Sequence, residues 1–325
     1  MSTLPTPSQM HEAQRLLGSH FPATRLIAAP ALARPSTEAF LKLELELPTG
    51  SFKPRGALFA LSVSLAKGGV TEVIASSTGN HGAAVAWAAK TLNSPATIFL
   101  PHNPNPVKRA RIAALGARIV EADGPDLADA GVLAKEYSRR SGVYYLDDAT
   151  DANVLAGPAT IALEILDQLP EISAIFVPMG DTALIRGLGA AMQHHAPRVK
   201  IIGVQAERAP SYYLSWKAGH AVPTATCDTC ADGLATRTPE PENVTSIREL
   251  VADVVLVSEE EMLATVHSLY FDFGVLAEPA GAAATAAYKK YPGIPGPNVL
   301  LVTGGNIPDA IRERAGIPVA TVPDR

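Results

Sequence analysis

Short runs rich in β-branched residues alternate with Ala-rich stretches whose apolar positions recur at helical spacing. No other feature of the chain limits its fold as strongly. A β-run, a helical stretch and a second β-run make a βαβ unit, and repeated units build a mainly parallel sheet with helices on its faces. The expected fold class is therefore α/β. Predicted strands cover Glu72–Ala75, Ala96–Leu100, Arg118–Glu121, Ala174–Val177, Lys200–Val204 and Val299–Val302. Predicted helices cover His81–Leu92, Pro106–Leu115 and Ala159–Gln168.

At 325 residues the chain is longer than one hydrophobic core usually organises, so two lobes are expected. The run 71–146 contains three of the predicted strands and closes near Leu146-Asp147-Asp148. It reads as a small inserted lobe, with 1–70 and 147–325 forming a larger one. The segment Lys217–Thr245 holds both cysteines with Pro, Thr and Asp but little periodicity, and is expected to be a long loop able to border a site. An apolar fraction of 47% against 18% charged residues excludes intrinsic disorder. A net charge of −5 argues against a nucleic-acid backbone as the main partner. The longest apolar stretches, Gly82–Ala89 and Ala280–Ala287, fall short of the roughly 18 residues that a membrane span requires. Two cysteines cannot form a disulfide framework, and the opening M-S-T-L-P-T-P-S lacks a charged start followed by an apolar core, so a cytoplasmic setting is expected.

Four motifs carry candidate chemistry. In T-G-S-F-K-P-R-G-A (Thr49–Ala57) a single lysine, Lys53, stands among small and turn-forming residues; taken alone it reads as a solvated side chain. S-S-T-G-N-H-G (Ser76–Gly82) lies between a predicted strand and an Ala-rich helix, where backbone N–H groups and hydroxyls can bind an anion or simply cap the helix. V-P-M-G-D-T-A-L-I-R-G (Val177–Gly187) is a second strand–turn–helix passage that suits a phosphate, or an ordinary connection with Asp181 as cap. L-L-V-T-G-G-N (Leu300–Asn306) ends a buried-looking strand in Thr303, at the carboxyl end where ligands of open α/β sheets bind.

Together, in this order and spacing, the motifs resemble the pyridoxal-phosphate enzymes of the tryptophan synthase β-like group (fold type II), most of all serine/threonine dehydratases and serine racemase. F-L-K-L-E (Phe40–Glu44), V-L-A-G-P-A-T-I-A-L-E-I (Val154–Ile165), A-D-G-L-A (Ala231–Ala235) and A-E-P-A-G-A (Ala277–Ala282) extend the likeness over nearly the whole chain. The resemblance implies two lobes, each a mainly parallel twisted sheet flanked by helices, with the cofactor in the cleft between them. It implies that Lys53, beside Phe52, forms the Schiff base with pyridoxal 5'-phosphate and shuttles the Cα proton. By the same matching Asn80 meets the cofactor 3-hydroxyl. Ser77, Thr78, Asn80 and His81 surround the substrate carboxylate, and Gly180, Asp181, Thr182, Ala183 and Leu184 hold the phosphate. Glu278 lies near the cofactor pocket, although before Pro279 it also suits a helix start, and Gly233 lies beside the substrate, although it also suits a turn. Thr303 meets the pyridine nitrogen; a neutral hydroxyl there leaves the ring a weaker electron sink, which favours β-elimination over transamination.

Several positions depart from the group's pattern. Its phosphate loop is a run of glycines before Leu, whereas Asp181, Thr182 and Ala183 follow Gly180 here, and an Asp181 carboxylate turned toward a phosphate would repel it. Thr78 stands where serine racemase has a serine acting on the opposite face of the substrate carbon, so racemisation stays open. The positions matching the racemase-like cation ligands are Gln205 and Ser211, poor ligands for a hard cation, and no metal site is expected. Cys227 and Cys230 form a lone C-x-x-C and read as incidental thiols. The expected activity is that of a homodimeric ammonia-lyase that removes water from a small L-hydroxyamino acid such as serine or threonine, giving a 2-oxo acid and ammonia. In a chain of this length no appended regulatory domain is expected, and a catabolic role is the expectation. The alternatives are an amino-acid racemase, a dehydratase of 3-hydroxyaspartate or phenylserine, a β-replacement synthase, and a catalytically silent homologue.

Overall fold

The computed structural model describes residues 4–124 and 127–319, so Met1-Ser2-Thr3 of the opening motif lies outside the described residues. In chain order the helices are α1 (Pro7–Gly18), α2 (Lys53–Ala66), α3 (Asn80–Thr91), α4 (Pro106–Ala114), α5 (Leu127–Tyr137), α6 (Ala156–Gln168), α7 (Ala183–His195), α8 (Ser211–Ala218), α9 (Pro241–Leu250), α10 (Glu259–Phe273), α11 (Pro279–Lys290) and α12 (Asp309–Arg314). The strands are β1 (Leu26–Ala28), β2 (Thr37–Leu43), β3 (Glu72–Ser76), β4 (Ala96–Leu100), β5 (Arg118–Glu121), β6 (Val143–Tyr145), β7 (Ala174–Pro178), β8 (Lys200–Ala206), β9 (Asp253–Val257) and β10 (Gly296–Val302). All six predicted strands and all three predicted helices form, with ends displaced by at most three residues.

The chain divides into two compact units. The first takes the residues up to Ala23, then Leu47–Glu164 and Arg186–His194; the second takes Thr24–Glu46, Ile165–Ile185 and the chain from His195 on. The four-stranded sheet of the first unit, ordered β5-β4-β3-β6, is parallel throughout and falls within 71–146. The unit itself is wider than that span, because α2 and most of α6 and α7 belong to it. Ile74, Phe99, Ala122, Ala130 and Ala134 form one apolar core there, and Ala13, Phe59 and Ala156 a second. Arg55 on α2 is fully buried. Its guanidinium donates to both carboxylate oxygens of Glu164, at 2.6 and 2.9 Å, a forked pairing that satisfies a charge held away from water.

The six-stranded sheet of the second unit is ordered β1-β2-β10-β7-β8-β9. Only the edge strand β1 is antiparallel. Strands β7, β8 and β10 are almost wholly buried, which is why they read as unbroken apolar runs rather than alternating ones. The Ala-rich face of α11, from Ala280 to Tyr288, packs into the same core. The expected loop Lys217–Thr245 is corrected in part. Its first two residues, Lys217 and Ala218, end α8, and its last five, Pro241–Thr245, open α9, which starts with Pro in the first turn and has only a short apolar face (Val244, Ile247) to announce it.

Candidate active site

Each sheet has a switch point where the chain reverses its order of laying down strands, and in open α/β sheets the loops at the carboxyl ends of the two strands flanking that point form the ligand crevice. In the second unit the chain goes from β7 outward to β8 and β9, then returns to place β10 on the other side of β7, so the loops after β7 and β10 stand side by side. These are the segments Gly180–Leu184 and Thr303–Asn306. In the first unit the chain goes from β3 outward to β4 and β5, then places β6 on the other side of β3. The loops there are Ser77–Gly79, leading into α3, and Leu146–Asp148.

In the second unit, several expected residues converge. A Cβ placed on Gly180 would collide with the Gly233 carbonyl oxygen, and one on Gly233 would come to 3.1 Å of Ala280 Cβ. Thr303 is buried, with its hydroxyl 3.5 Å from the Ala280 carbonyl, and the Glu278 N–H donates to the Gly304 carbonyl at 3.0 Å. Glu278 precedes α11 as its N-cap but makes no side-chain cap bond. Thr182 adopts φ +68°, the left-handed region that favours glycine, so the backbone turns there as a glycine loop would. Helix α7 follows with no acidic residue in its first turn. The Asp181 carboxylate accepts from the Thr236 hydroxyl at 3.0 Å, and its backbone carbonyl accepts from Asn243 Nδ2 at 3.4 Å, so the side chain is anchored to the strap that carries Gly233. With Asp181 so anchored, the turned backbone and the α7 N-terminus suit a phosphate.

In the first unit, Lys53 opens α2, where the helix dipole disfavours a cation. Its ammonium is ion-paired with Asp148 and lies 5.2 Å from the centre of the Phe52 ring. His81, buried on the first turn of α3, has Nε2 2.9 Å from the Leu146 carbonyl oxygen and Nδ1 3.7 Å from Asp148 Oδ2. Burial pushes the Asp148 carboxyl up, but the charges of His81 and then Lys53, with the Lys53 hydrogen bond, outweigh it and hold the group well below the usual carboxylate range. The Ser77 hydroxyl accepts from Gly79 N at 3.2 Å, and a Cβ on Gly82 would strike the Ser77 carbonyl, so this turn is closed tightly by small residues. Thr78 and Asn80 are half-buried. Ser51 Oγ and Ser76 Oγ are buried without a hydrogen-bond partner, polar atoms that a bound group can satisfy.

Asp148 was not among the residues expected from sequence, where it served only to mark a lobe boundary. Gln205 and Ser211 are engaged in packing: Gln205 Oε1 accepts from Tyr213 N at 2.9 Å and Ser211 Oγ donates to the Thr236 carbonyl at 2.6 Å. Burial, then the hydrogen bond to Glu259 and its charge, push the Cys230 thiol up to about 12.

The chain matches the family described as pyridoxal-phosphate dependent enzyme over residues 19–304. It belongs to this family. An L-threonine ammonia-lyase of Geobacter sulfurreducens is 36% identical over 274 residues, 82% of this chain and 67% of that one. An L-threonine ammonia-lyase of Thermotoga maritima is 34% identical over 304 residues, 93% and 76% of the two chains. Among solved structures, maize serine racemase superposes with a TM-score of 0.88 at 26% identity, covering 95% of this chain and 96% of that one. The processed form of threonine deaminase isoform 2 from Solanum lycopersicum gives 0.86 at 29% identity, covering 97% and 90%. This pyridoxal-phosphate dependent enzyme thus shares the fold type II architecture of those two structures. No helix among its described residues is long and apolar enough to cross a membrane.

Proposed function

We propose that this enzyme is an ammonia-lyase that eliminates water from a small L-hydroxyamino acid of the serine/threonine kind, giving a 2-oxo acid and ammonia. The observation that carries the reading is Thr303: the residue at the carboxyl end of β10, where the resemblance puts the partner of the cofactor's pyridine nitrogen, is a buried neutral hydroxyl rather than a carboxylate. The names of the relatives from Geobacter and Thermotoga support it.

The cofactor, when bound, supplies an aldehyde that takes up an amino group and a ring that draws electrons from Cα. Lys53 is the residue that holds it and moves the Cα proton at its Nζ. Gly180, the Thr182 backbone, Ala183 and Leu184 hold the phosphate through main-chain N–H groups, and Asn80 and Thr303 orient the ring. Ser77, Thr78, Asn80 and His81 bind the substrate carboxylate at the start of α3, with Gly233 beside the substrate. A neutral Thr303 leaves less capacity to store charge and so favours prompt loss of a β-hydroxyl. In this reading 71–146 is the substrate lobe, inserted between 1–70 and 147–325. A homodimer in the cytoplasm is the proposed setting; light scattering that reads the mass of one chain counts against the dimer, and cell fractionation checks the compartment.

A second reading, amino-acid racemase, is favoured by the Thr78 hydroxyl at the start of α3 and by the likeness to maize serine racemase. One panel separates them: purified protein with L- and D-serine, L- and D-threonine, 3-hydroxyaspartate and phenylserine, following oxo-acid release and enantiomer interconversion. Release of oxo acid from L-serine or L-threonine is expected, and its absence from every compound ends the lyase reading. Lys53→Ala should abolish both the visible absorbance of bound cofactor and turnover; an active variant refutes the assigned base.

A further inference from the structure

Thr182 holds a left-handed backbone, φ +68°, which a β-branched residue keeps only where its surroundings impose it. Those surroundings are polar and buried: Thr182, Tyr212 and Asn243 are 3%, 1% and 3% exposed. The hydroxyl of Tyr212, on the first turn of α8, hydrogen-bonds the Thr182 side chain. It also accepts from Glu240 N at 3.2 Å and from Asn243 Nδ2 at 3.3 Å. A phenol accepts two hydrogen bonds and donates one, so with two N–H groups in the accepting positions its own proton goes to Thr182 Oγ1. Burial, joined by the Asp181 charge, pushes the phenol up and keeps that proton in place at neutral pH. The same turn of α8 also reaches Asp181: Ser211 donates to the Thr236 carbonyl at 2.6 Å, and the Thr236 hydroxyl donates to the Asp181 carboxylate at 3.0 Å. Asn243, on the first turn of α9, approaches the Asp181 carbonyl at 3.4 Å through the nitrogen that meets Tyr212.

We propose that Tyr212 is a positioning residue for the cofactor phosphate, acting through Thr182: its hydroxyl locks the left-handed turn in which the N–H groups of Gly180–Leu184 aim at the phosphate. The proposal rests on the reading of that loop given above. A run of glycines enters such a turn without strain but gives up more backbone freedom when it orders. Here a threonine held by a buried phenol takes the place of that freedom, so the loop is ordered before the phosphate arrives. The benefit falls on the phosphate, because the ring and the aldehyde are met by other residues.

Affinities of the full cofactor-free chain for pyridoxal 5'-phosphate and for pyridoxal, which lacks the phosphate, test this through the visible band of the bound form. The ratio of the two is the quantity to follow, since a variant that only loosens the fold weakens both. Wild type should prefer the phosphorylated form, and Tyr212→Phe should lower the ratio about tenfold, the effect of one buried hydrogen bond. Thr182→Gly should keep the ratio because glycine takes the turn unaided, and adding Tyr212→Phe to it should then change nothing. An undiminished ratio in Tyr212→Phe overturns the proposal, as does a tenfold loss that persists in the Thr182→Gly background. If Tyr212→Phe does not fold, Thr182→Val decides: it keeps the shape and loses the acceptor, so the ratio should fall about tenfold, and an undiminished ratio again overturns the proposal. A wild type that binds both forms equally removes the phosphate from Gly180–Leu184; that failure of the earlier reading shows without any variant and takes the proposal with it.

Discussion

Gly180 shows at the scale of one residue why the phosphate loop tolerates so little. Its missing side chain lets the Gly233 carbonyl lie against the turn, so a methyl group there forces apart the two segments that frame the crevice. Gly180→Ala should weaken cofactor binding by about tenfold or more, since a displaced turn loses aim on the phosphate oxygens. Titrating the variant with pyridoxal 5'-phosphate and following the visible band checks this, and unchanged affinity removes the loop from the phosphate site. Asp181 and Thr182 show that the group's glycine pattern is not needed for the turn itself. Thr182 takes the left-handed backbone at a cost of about 1–2 kcal/mol, and Asp181 is parked on Thr236.

Among elements, one of the two shortest strands leads to the residue that pairs with Lys53. β6 is three residues long, Val143-Tyr144-Tyr145, too short for alternation or an apolar run to show, and it was not among the predicted strands. Yet its pairing with β3 puts Asp148 opposite the start of α3. The Asp147-Asp148 pair after three strand-forming residues was the one available signal. At Gly187 of α7 the Leu155 carbonyl approaches so closely that a Cβ would overlap it. Gly187→Ala should therefore lower stability by about 1–3 kcal/mol through overpacking, even though alanine is the better helix former. Thermal unfolding followed by circular dichroism reads this; a raised Tm would show that helix propensity outweighs the close approach.

For the molecule as a whole, two carboxylates link folding to pH. Asp148 is held below its ordinary range as described. Burial of Glu259 raises its carboxyl, but hydrogen bonds from the Cys230 thiol, Thr229 and the Cys230 N–H, with the Arg208 charge, bring it below normal. A folded-state pKa below the unfolded one means the contribution is full above the unfolded value, about 4 for a carboxylate, and is lost as the pH falls through the lower folded value. The unfolding free energy should therefore fall as the pH drops below about 4. Asp148→Asn should make that decline shallower. Urea denaturation across that range measures both, and an identical slope in wild type and variant would deny Asp148 its part.

The α/β class, the strands that carry the motifs and the residues of both candidate loops were legible in the sequence. Period, turn chemistry and helix starts are local properties that a few neighbouring residues dictate. The chain order alone could not show that the loops after β7 and β10, about 125 residues apart, stand side by side, because adjacency in a sheet is decided by strand pairing rather than by sequence distance. Nor could it show that Asp148 faces Lys53 and His81. A carboxylate that begins a loop is solvated by default, and only the return of β6 to the far side of β3 sets it against the half-buried Lys53 ammonium and the buried His81 ring.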